Sequence, residues 1–175
     1  MNIVLVGFMG TGKTAVAEEL ARRLKREYVS LDERIEKKEK RTIPKIFAES
    51  GESYFRDVES QIVKEISDKE SLVIDAGGGV VIREENVSHL KKNGILVCLK
   101  ATPEVILERT KHVSHRPLLN VPNPKEKIQE LLNKREPYYT RADYLVDTSN
   151  LSIKEVTEEI LNIIRGHSIK ICGDS

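Results

Sequence analysis

Apolar residues along the chain recur in two rhythms. Asn2-Ile3-Val4-Leu5-Val6 is an unbroken β-rich run, the pattern of a strand buried on both faces of a parallel sheet. A glycine-bearing turn follows, Gly7 to Gly12, and then Val16, Ala17, Leu20, Ala21 and Leu24 return at helical spacing with charges between them. Short apolar runs reappear at Tyr28–Leu31, Ser71–Ile74, Gly94–Leu99 and Tyr144–Val146. Helical patterns occupy Pro103–Lys111, Lys125–Arg135 and Ile153–Arg165; in the last, Ile153, Val156, Ile160 and Ile163 form one stripe behind Ser152 as N-cap. Strands alternating with helices predict an α/β fold of three layers, a five-stranded parallel sheet flanked by helices. Functional groups should gather at the carboxyl ends of its strands.

Two stretches depart from this alternation. Residues 33–68 are mostly helical, interrupted at Ser50-Gly51, and read as a helical insertion beside the sheet. Within it Glu33–Arg41 is densely charged with mixed sign around Ile35, a solvated helix face. Residues 111–124 are polar, with Pro117, Pro122, Pro124, His112 and His115, and a loop of this length inside a compact domain reads as a lid. The tail 166–175 matches no motif and is expected to be disordered.

Composition narrows the function. A chain of 175 residues fits one domain, here 1–175. The charge count is 29 Lys and Arg against 28 Asp and Glu, a net +1, which argues against a nucleic-acid binder held by a global positive field. No apolar run approaches the ~18 residues of a membrane span. The first strand begins directly after Met1, so a soluble cytoplasmic protein without a leader segment is expected, acting as a monomer on small molecules. Cys98 and Cys172 make neither a disulfide framework nor a metal quartet, and Cys98 reads as a small core residue.

Gly7-Phe8-Met9-Gly10-Thr11-Gly12-Lys13-Thr14 satisfies G-x-x-x-x-G-K-[ST] in full, between a strand and a helix. Glycines let the backbone curl so that the N–H groups of Gly10, Thr11, Gly12, Lys13, Thr14 and Ala15 point at phosphates, and the following helix N-terminus adds partial positive charge. Lys13 should bridge the outer phosphates of a nucleoside triphosphate, and the Thr14 hydroxyl should ligate Mg²⁺. A second acid follows the third apolar run, in Val73-Ile74-Asp75-Ala76-Gly77-Gly78-Gly79, where an Mg²⁺-holding aspartate belongs. Asp75-Ala76-Gly77-Gly78 also matches the D-x-x-G of GTPase switches. Against a switch, Asn133-Lys134-Arg135-Glu136 only approximates N-K-x-D and lies in a predicted helix. The three glycines suit a backbone wall that a small polar ligand approaches closely. Arg56 and Glu59, three apart, are either a surface ion pair or a guanidinium forked onto a substrate carboxylate and held by Glu59. Asp32 either caps a helix or serves an attacking hydroxyl.

With Leu31-Asp32, Ile43–Phe47, Gly51-Glu52, Phe55-Arg56, Glu59, Gly77–Gly79, Arg116-Pro117-Leu118-Leu119 and Arg135-Glu136-Pro137-Tyr138 in order behind the phosphate loop, the chain resembles the shikimate kinases, over about Asn2 to Arg165. These belong to the nucleoside-monophosphate-kinase-like P-loop group. The resemblance implies an ATP- and Mg²⁺-dependent transfer of the γ-phosphoryl group to the 3-hydroxyl of shikimate, with no nucleic-acid or membrane partner. It implies Arg56 and Arg135 on the substrate carboxylate with Glu59 behind Arg56, Gly77, Gly78 and Gly79 along the substrate, and Asp32 at the hydroxyl. Phe47 and Phe55 would cover the ring, a position that core packing explains equally well. It further implies Arg116 closing from the lid over the phosphates, Arg109 stacked on adenine, and Thr148-Ser149-Asn150 passing the base, Ser149 among the nucleotide contacts. The family pattern carries Asp-x-Asp where this chain has Ser30-Leu31-Asp32. Asp75 is therefore expected to supply the metal contact that Ser30 cannot. Gluconate and nucleotide kinases of the same group are the nearest alternatives, and a switch NTPase a more distant one.

Overall fold

A computed structural model describes residues 1–111 and 122–173, with 168–173 as backbone only. Most of the expected lid, with His112, His115 and Arg116, lies outside the described residues. The strands are β1 (Asn2–Gly7), β2 (Glu27–Ser30), β3 (Leu72–Asp75), β4 (Gly94–Lys100) and β5 (Tyr144–Asp147). The helices are α1 (Lys13–Leu24), α2 (Leu31–Glu39), α3 (Ile43–Ser67), α4 (Glu84–Lys92), α5 (Pro103–Thr110), α6 (Pro124–Tyr139) and α7 (Ile153–Gly173), with one 3₁₀ turn at Val80–Ile82.

All strand pairs are parallel, in the order β2-β3-β1-β4-β5. This is the three-layer arrangement that alternation predicts, and it explains why β1 reads as apolar throughout. Val4 and Val6 face one layer, with Val58 and Ile62 of α3, Leu90 of α4 and Ile128 of α6. Ile3 and Leu5 face the other, with Val16 and Leu20 of α1 and Val156 and Ile160 of α7. Cys98 is fully buried in the first layer, which pushes its thiol up to about 12. Among the described residues no helix is long and apolar enough to cross a membrane.

Three boundaries and one whole helix depart furthest from the sequence pattern. β2 stops at Ser30 rather than Leu31 because the Ser30 hydroxyl accepts the Glu33 N–H at 3.3 Å and caps α2. Asp32 therefore stands in the first turn of α2, one step beyond the strand end. α4 was not anticipated, although Glu84 and Glu85 open it and Lys91 and Lys92 close it, as the helix dipole favours. α6 continues through Pro137 to Tyr139, and α7 continues to Gly173, so the chain from 166 to 173 is helical instead of disordered. Tyr144 of β5 holds this extension through its hydroxyl and the His167 Nδ1, 3.1 Å apart.

The insertion is α2 and α3, and the interruption expected at Ser50-Gly51 is a kink where Gly51 takes φ 82°. Arg41 fastens the kink by donating to Glu39 (2.6 Å), Glu49 (3.1 Å) and Ser50 (3.1 Å). Ile35 is fully buried while the charges of α2 face outward, Lys38 meeting Glu65 at 2.8 Å.

Candidate active site

The phosphate loop joins β1 to α1. Gly12 precedes the helix with φ 90°, a left-handed conformation that a side chain would strain. The first helical bond runs from Val16 N–H to the Gly12 carbonyl (3.0 Å), so the N–H groups of Thr14 and Ala15 lie ahead of the helical ladder, available to an anion. Lys13 Nζ donates to the Phe8 carbonyl at 3.0 Å, and the Thr11 hydroxyl to the same carbonyl at 2.8 Å. Thr14 Oγ1 donates to Asp75 Oδ2 at 2.6 Å, joining the end of the loop to the end of β3. Asp75 is nearly buried and its other oxygen accepts the Gly77 N–H at 3.3 Å.

Beyond Asp75 the glycines form the wall that three residues without side chains suggested. A Cβ on Gly79 would stand 2.7 Å from the Arg56 guanidinium carbon, and one on Gly78 would stand 2.7 Å from the Gly7 carbonyl oxygen and 3.4 Å from Arg135 Nη1. Both arginines therefore lie against the wall, Arg56 arriving from α3 and Arg135 from α6. The Arg56 Nη1 donates to both oxygens of Glu59 (2.9 and 2.8 Å), and its Nη2 to Glu52 at 3.3 Å. Glu59 is only 3% exposed, so this is no surface pair. Burial raises the Glu59 carboxyl above its ordinary range, against the pull of Arg56. The Arg56 guanidinium also sits 5.0 Å over the Phe55 ring, and Arg135 sits 5.5 Å over Phe8. Phe55 is buried, whereas Phe47, 4.7 Å from it between ring centres, is 38% exposed, so Phe47 is the ring with a free face.

Asp32 opens onto the same cleft opposite Gly77, whose added Cβ would lie 3.7 Å from Oδ1. Protein crowding around its flanks, then the nearby Asp75 charge, raise its carboxyl above the ordinary range, with Lys13 opposing. On the far side of the loop, Arg109 donates to the Gly10 carbonyl (3.3 Å), to the Thr148 hydroxyl (3.0 Å) and to the Thr148 carbonyl (2.7 Å). Ser149 is turned elsewhere, its hydroxyl accepting the Thr102 N–H at 3.0 Å. Thr148 is the member of that segment that reaches the phosphate loop, donating to the Thr11 carbonyl at 3.0 Å. Tyr139, which no periodicity marked, donates to the Gly78 carbonyl at 3.3 Å.

The structure thus brings Gly10–Ala15, Asp32, Arg56, Glu59, Asp75, Gly77–Gly79, Arg109 and Arg135 to one edge of the sheet. A phosphate cradle at the end of the central strand, beside a glycine wall flanked by two arginines and an aspartate, fits a P-loop phosphotransferase acting on small molecules. A family model described as shikimate kinase matches residues 9–165. A shikimate kinase of Thermodesulfovibrio yellowstonii is 51% identical over 160 residues, covering 91% of this chain and 92% of the relative. The solved shikimate kinase of Acinetobacter baumannii in complex with shikimate superposes with a TM-score of 0.88 at 40% identity, covering 95% of this chain and 93% of that one. The chain belongs to the shikimate kinase family, whose catalysis is ATP-dependent. A gluconokinase from Sinorhizobium meliloti 1021 shares the fold alone, with a TM-score of 0.67 at 18% identity over 99% of this chain and 97% of that one.

Proposed function

We propose that the chain transfers the γ-phosphoryl group of ATP to the 3-hydroxyl of shikimate, giving shikimate 3-phosphate and ADP. The observation that carries this reading is the wall between two cations: Arg56 lies against Gly79 and Arg135 against Gly78, with Asp32 across the cleft. Two fixed guanidinium groups suit a small carboxylate, and an acid nearby suits its hydroxyl. The relative solved with shikimate bound supports the same acceptor.

In this mechanism Arg56 and Arg135 hold the carboxylate while Glu59 keeps the Arg56 fork in one orientation. Asp32 accepts a hydrogen bond from the attacking hydroxyl and takes its proton as the new bond to the γ-phosphorus forms. The raised carboxyl makes Asp32 a stronger base than an ordinary aspartate. The bond to the bridging oxygen of ADP breaks in the same displacement. Because the transition state is loose, alignment of the hydroxyl contributes more than early proton removal. Lys13 leaves the Phe8 carbonyl for the outer phosphate oxygens, and the N–H groups of Gly10–Ala15 receive the others. Arg109 borders the base, and Arg116, by resemblance, closes over the phosphates.

The residues present fit Mg²⁺. Thr14 and Asp75 offer adjacent hard oxygens, and among the described residues no cluster of three or more His, Cys, Asp or Glu would select another metal. Mg²⁺ usually takes one or two protein oxygens and completes its shell with phosphates and water. When bound it neutralises charge on the β- and γ-phosphates. Ser30 and Asp75 are register partners across β2 and β3, so the acid expected beside Asp32 has a counterpart one strand over.

A coupled ADP-release assay with shikimate, gluconate and nucleoside monophosphates tests the acceptor. Turnover should be stimulated by shikimate and not by the others; no response to shikimate refutes the reading.

A further inference from the structure

The acceptor pocket is assembled from parts that are distant in sequence. Arg56 comes from α3, Arg135 from α6, and the wall from the turn after β3. The separation between wall and guanidinium sets where a carboxylate rests relative to Asp32, so something must fix that separation.

Arg83 follows the 3₁₀ turn that continues the wall. Its Nη1 donates to the backbone carbonyl of Arg56 (3.0 Å) and to Ser60 Oγ (3.1 Å), and its Nη2 to Asp57 Oδ1 (2.7 Å). Ser60 Oγ donates to that same Arg56 carbonyl at 3.0 Å. The wall segment therefore grips the peptide unit that carries the first substrate arginine. On the opposite side Arg141 Nη1 donates to the carbonyls of Val81 (2.9 Å) and Ile82 (3.2 Å), next to the α6 end that holds Arg135 and Tyr139. One short stretch, Gly78 to Arg83, is tied on both flanks to the helices that bear the two cations.

The three contacts of Arg83 are unequal. Asp57 is 60% exposed, and such an ion pair contributes little and could form in many geometries. The bonds to the Arg56 carbonyl and Ser60 are charge-assisted and directional, and they fix one position.

We propose that Arg83 is a positioning residue of the acceptor site, locking α3 to the glycine wall so that the Arg56 guanidinium meets the substrate carboxylate, with Arg141 performing the same task for α6. This rests on the shikimate reading above. Arg83 bonds the backbone of the residue that carries the guanidinium, and so acts through Arg56.

The test compares Arg83→Met, Arg83→Lys, Arg141→Met and Asp57→Asn in steady-state kinetics, calorimetric titration with shikimate, and thermal melts. Displacing a binding group by a fraction of an ångström should raise the KM and Kd for shikimate about tenfold in Arg83→Met and Arg141→Met. The KM for ATP should stay within about twofold, because the phosphate loop makes no bond to Arg83. Arg83→Lys should recover part of the loss, since an ammonium can still reach the carbonyl, and Asp57→Asn should bind shikimate as the parent does. The proposal is overturned if Arg83→Met melts lower yet keeps the parental KM and Kd for shikimate, or if both substrates' KM values rise together. Should Arg83→Met fail to fold, Arg83→Lys and Arg141→Met decide alone: a shift confined to shikimate upholds it, and no shift overturns it. Failure of the parent protein to phosphorylate shikimate would instead sink the acceptor assignment, a distinct result.

Discussion

Replacing the Arg56–Glu59 pair piece by piece should separate its structural cost from its function. The side chains are 12% and 4% exposed, so each charge depends on the other. Removing one partner of such a buried pair typically costs ~3–5 kcal/mol, while exchanging both for apolar residues is neutral or stabilising. For Glu59→Leu the stranded guanidinium keeps Glu52, at 3.3 Å and 63% exposed. An exposed pair of that kind returns about 0.5 kcal/mol, leaving a loss of about 2.5–4.5 kcal/mol, or roughly 5–18 °C in Tm for a chain of this size. Arginine cannot shed its proton, so the stranded guanidinium carries its cost at every pH, and only the raised Glu59 carboxyl of the parent makes the difference vary with pH. Arg56→Met strands a carboxylate instead, and a carboxylate can protonate. The folded carboxyl of Glu59 is already raised, and without Arg56 it rises further. The penalty is therefore absent below the unfolded value near 4.5, grows as pH rises, and is complete above the folded value. Arg56→Met should thus be markedly more stable at pH 5.5 than at pH 8, relative to the parent at each pH. The double variant Arg56→Met with Glu59→Leu should unfold in urea within about 1 kcal/mol of the parent and yet lose shikimate-dependent turnover. Single losses that add to within about 0.5 kcal/mol, or an Arg56→Met deficit indifferent to pH, would refute a mutually dependent buried pair.

Three further outcomes follow from the same geometry. Gly79→Ala sets a methyl group 2.7 Å from the Arg56 guanidinium carbon, so shikimate kcat/KM should fall by about two orders of magnitude while nucleotide affinity, measured by titration, holds. Asp32→Asn should nearly abolish turnover while nucleotide affinity, measured by titration, holds, and retained turnover would contradict its place at the attacking hydroxyl. Asp75→Asn should raise the Mg²⁺ concentration needed for half-maximal turnover at least tenfold, and an unaltered Mg²⁺ requirement would mean that Asp75 does not serve the metal.

How much of this was legible in the sequence depended on whether a residue's task left a local pattern. β1 and the phosphate loop were plain, because burial on both faces forces a continuous apolar run and phosphate binding forces glycines at fixed spacing. The kink at Gly51 was visible as a break in helical character. α4 was missed because Val87 and Leu90 offer too few apolar positions to establish a period, although its end charges obey the dipole. The extension of α7 past Gly166 is held by Tyr144, a contact 23 residues away that no window contains. Arg83 and Arg141 left no trace for a related reason: they bind backbone carbonyls, and a carbonyl has no sequence. Arg56 and Glu59 were visible as a pair, but only the 3% exposure of Glu59 decided against a surface bridge.

If Asp75 serves the metal as proposed, the acid has passed from β2 to β3, and a parallel sheet allows that without redesign. Ser30 stands opposite Asp75 in the ladder, and Asp75 stands opposite Leu5 two residues before the phosphate loop begins. All three positions end at the same edge, so an acid moved from one strand to the next stays beside the same phosphates. The move has a local reason as well. Ser30 caps α2 through the Glu33 N–H, and a neutral hydroxyl there leaves Asp32 without an acidic neighbour two residues away in its own turn. The remaining acid, Asp75, still raises the Asp32 carboxyl, but from across the sheet, where Thr14 shares its charge at 2.6 Å. On the reading proposed above, one carboxylate serves the hydroxyl and one the metal, separated by a strand instead of by a single residue. Close spacing of two acids would drive their affinities for protons further apart.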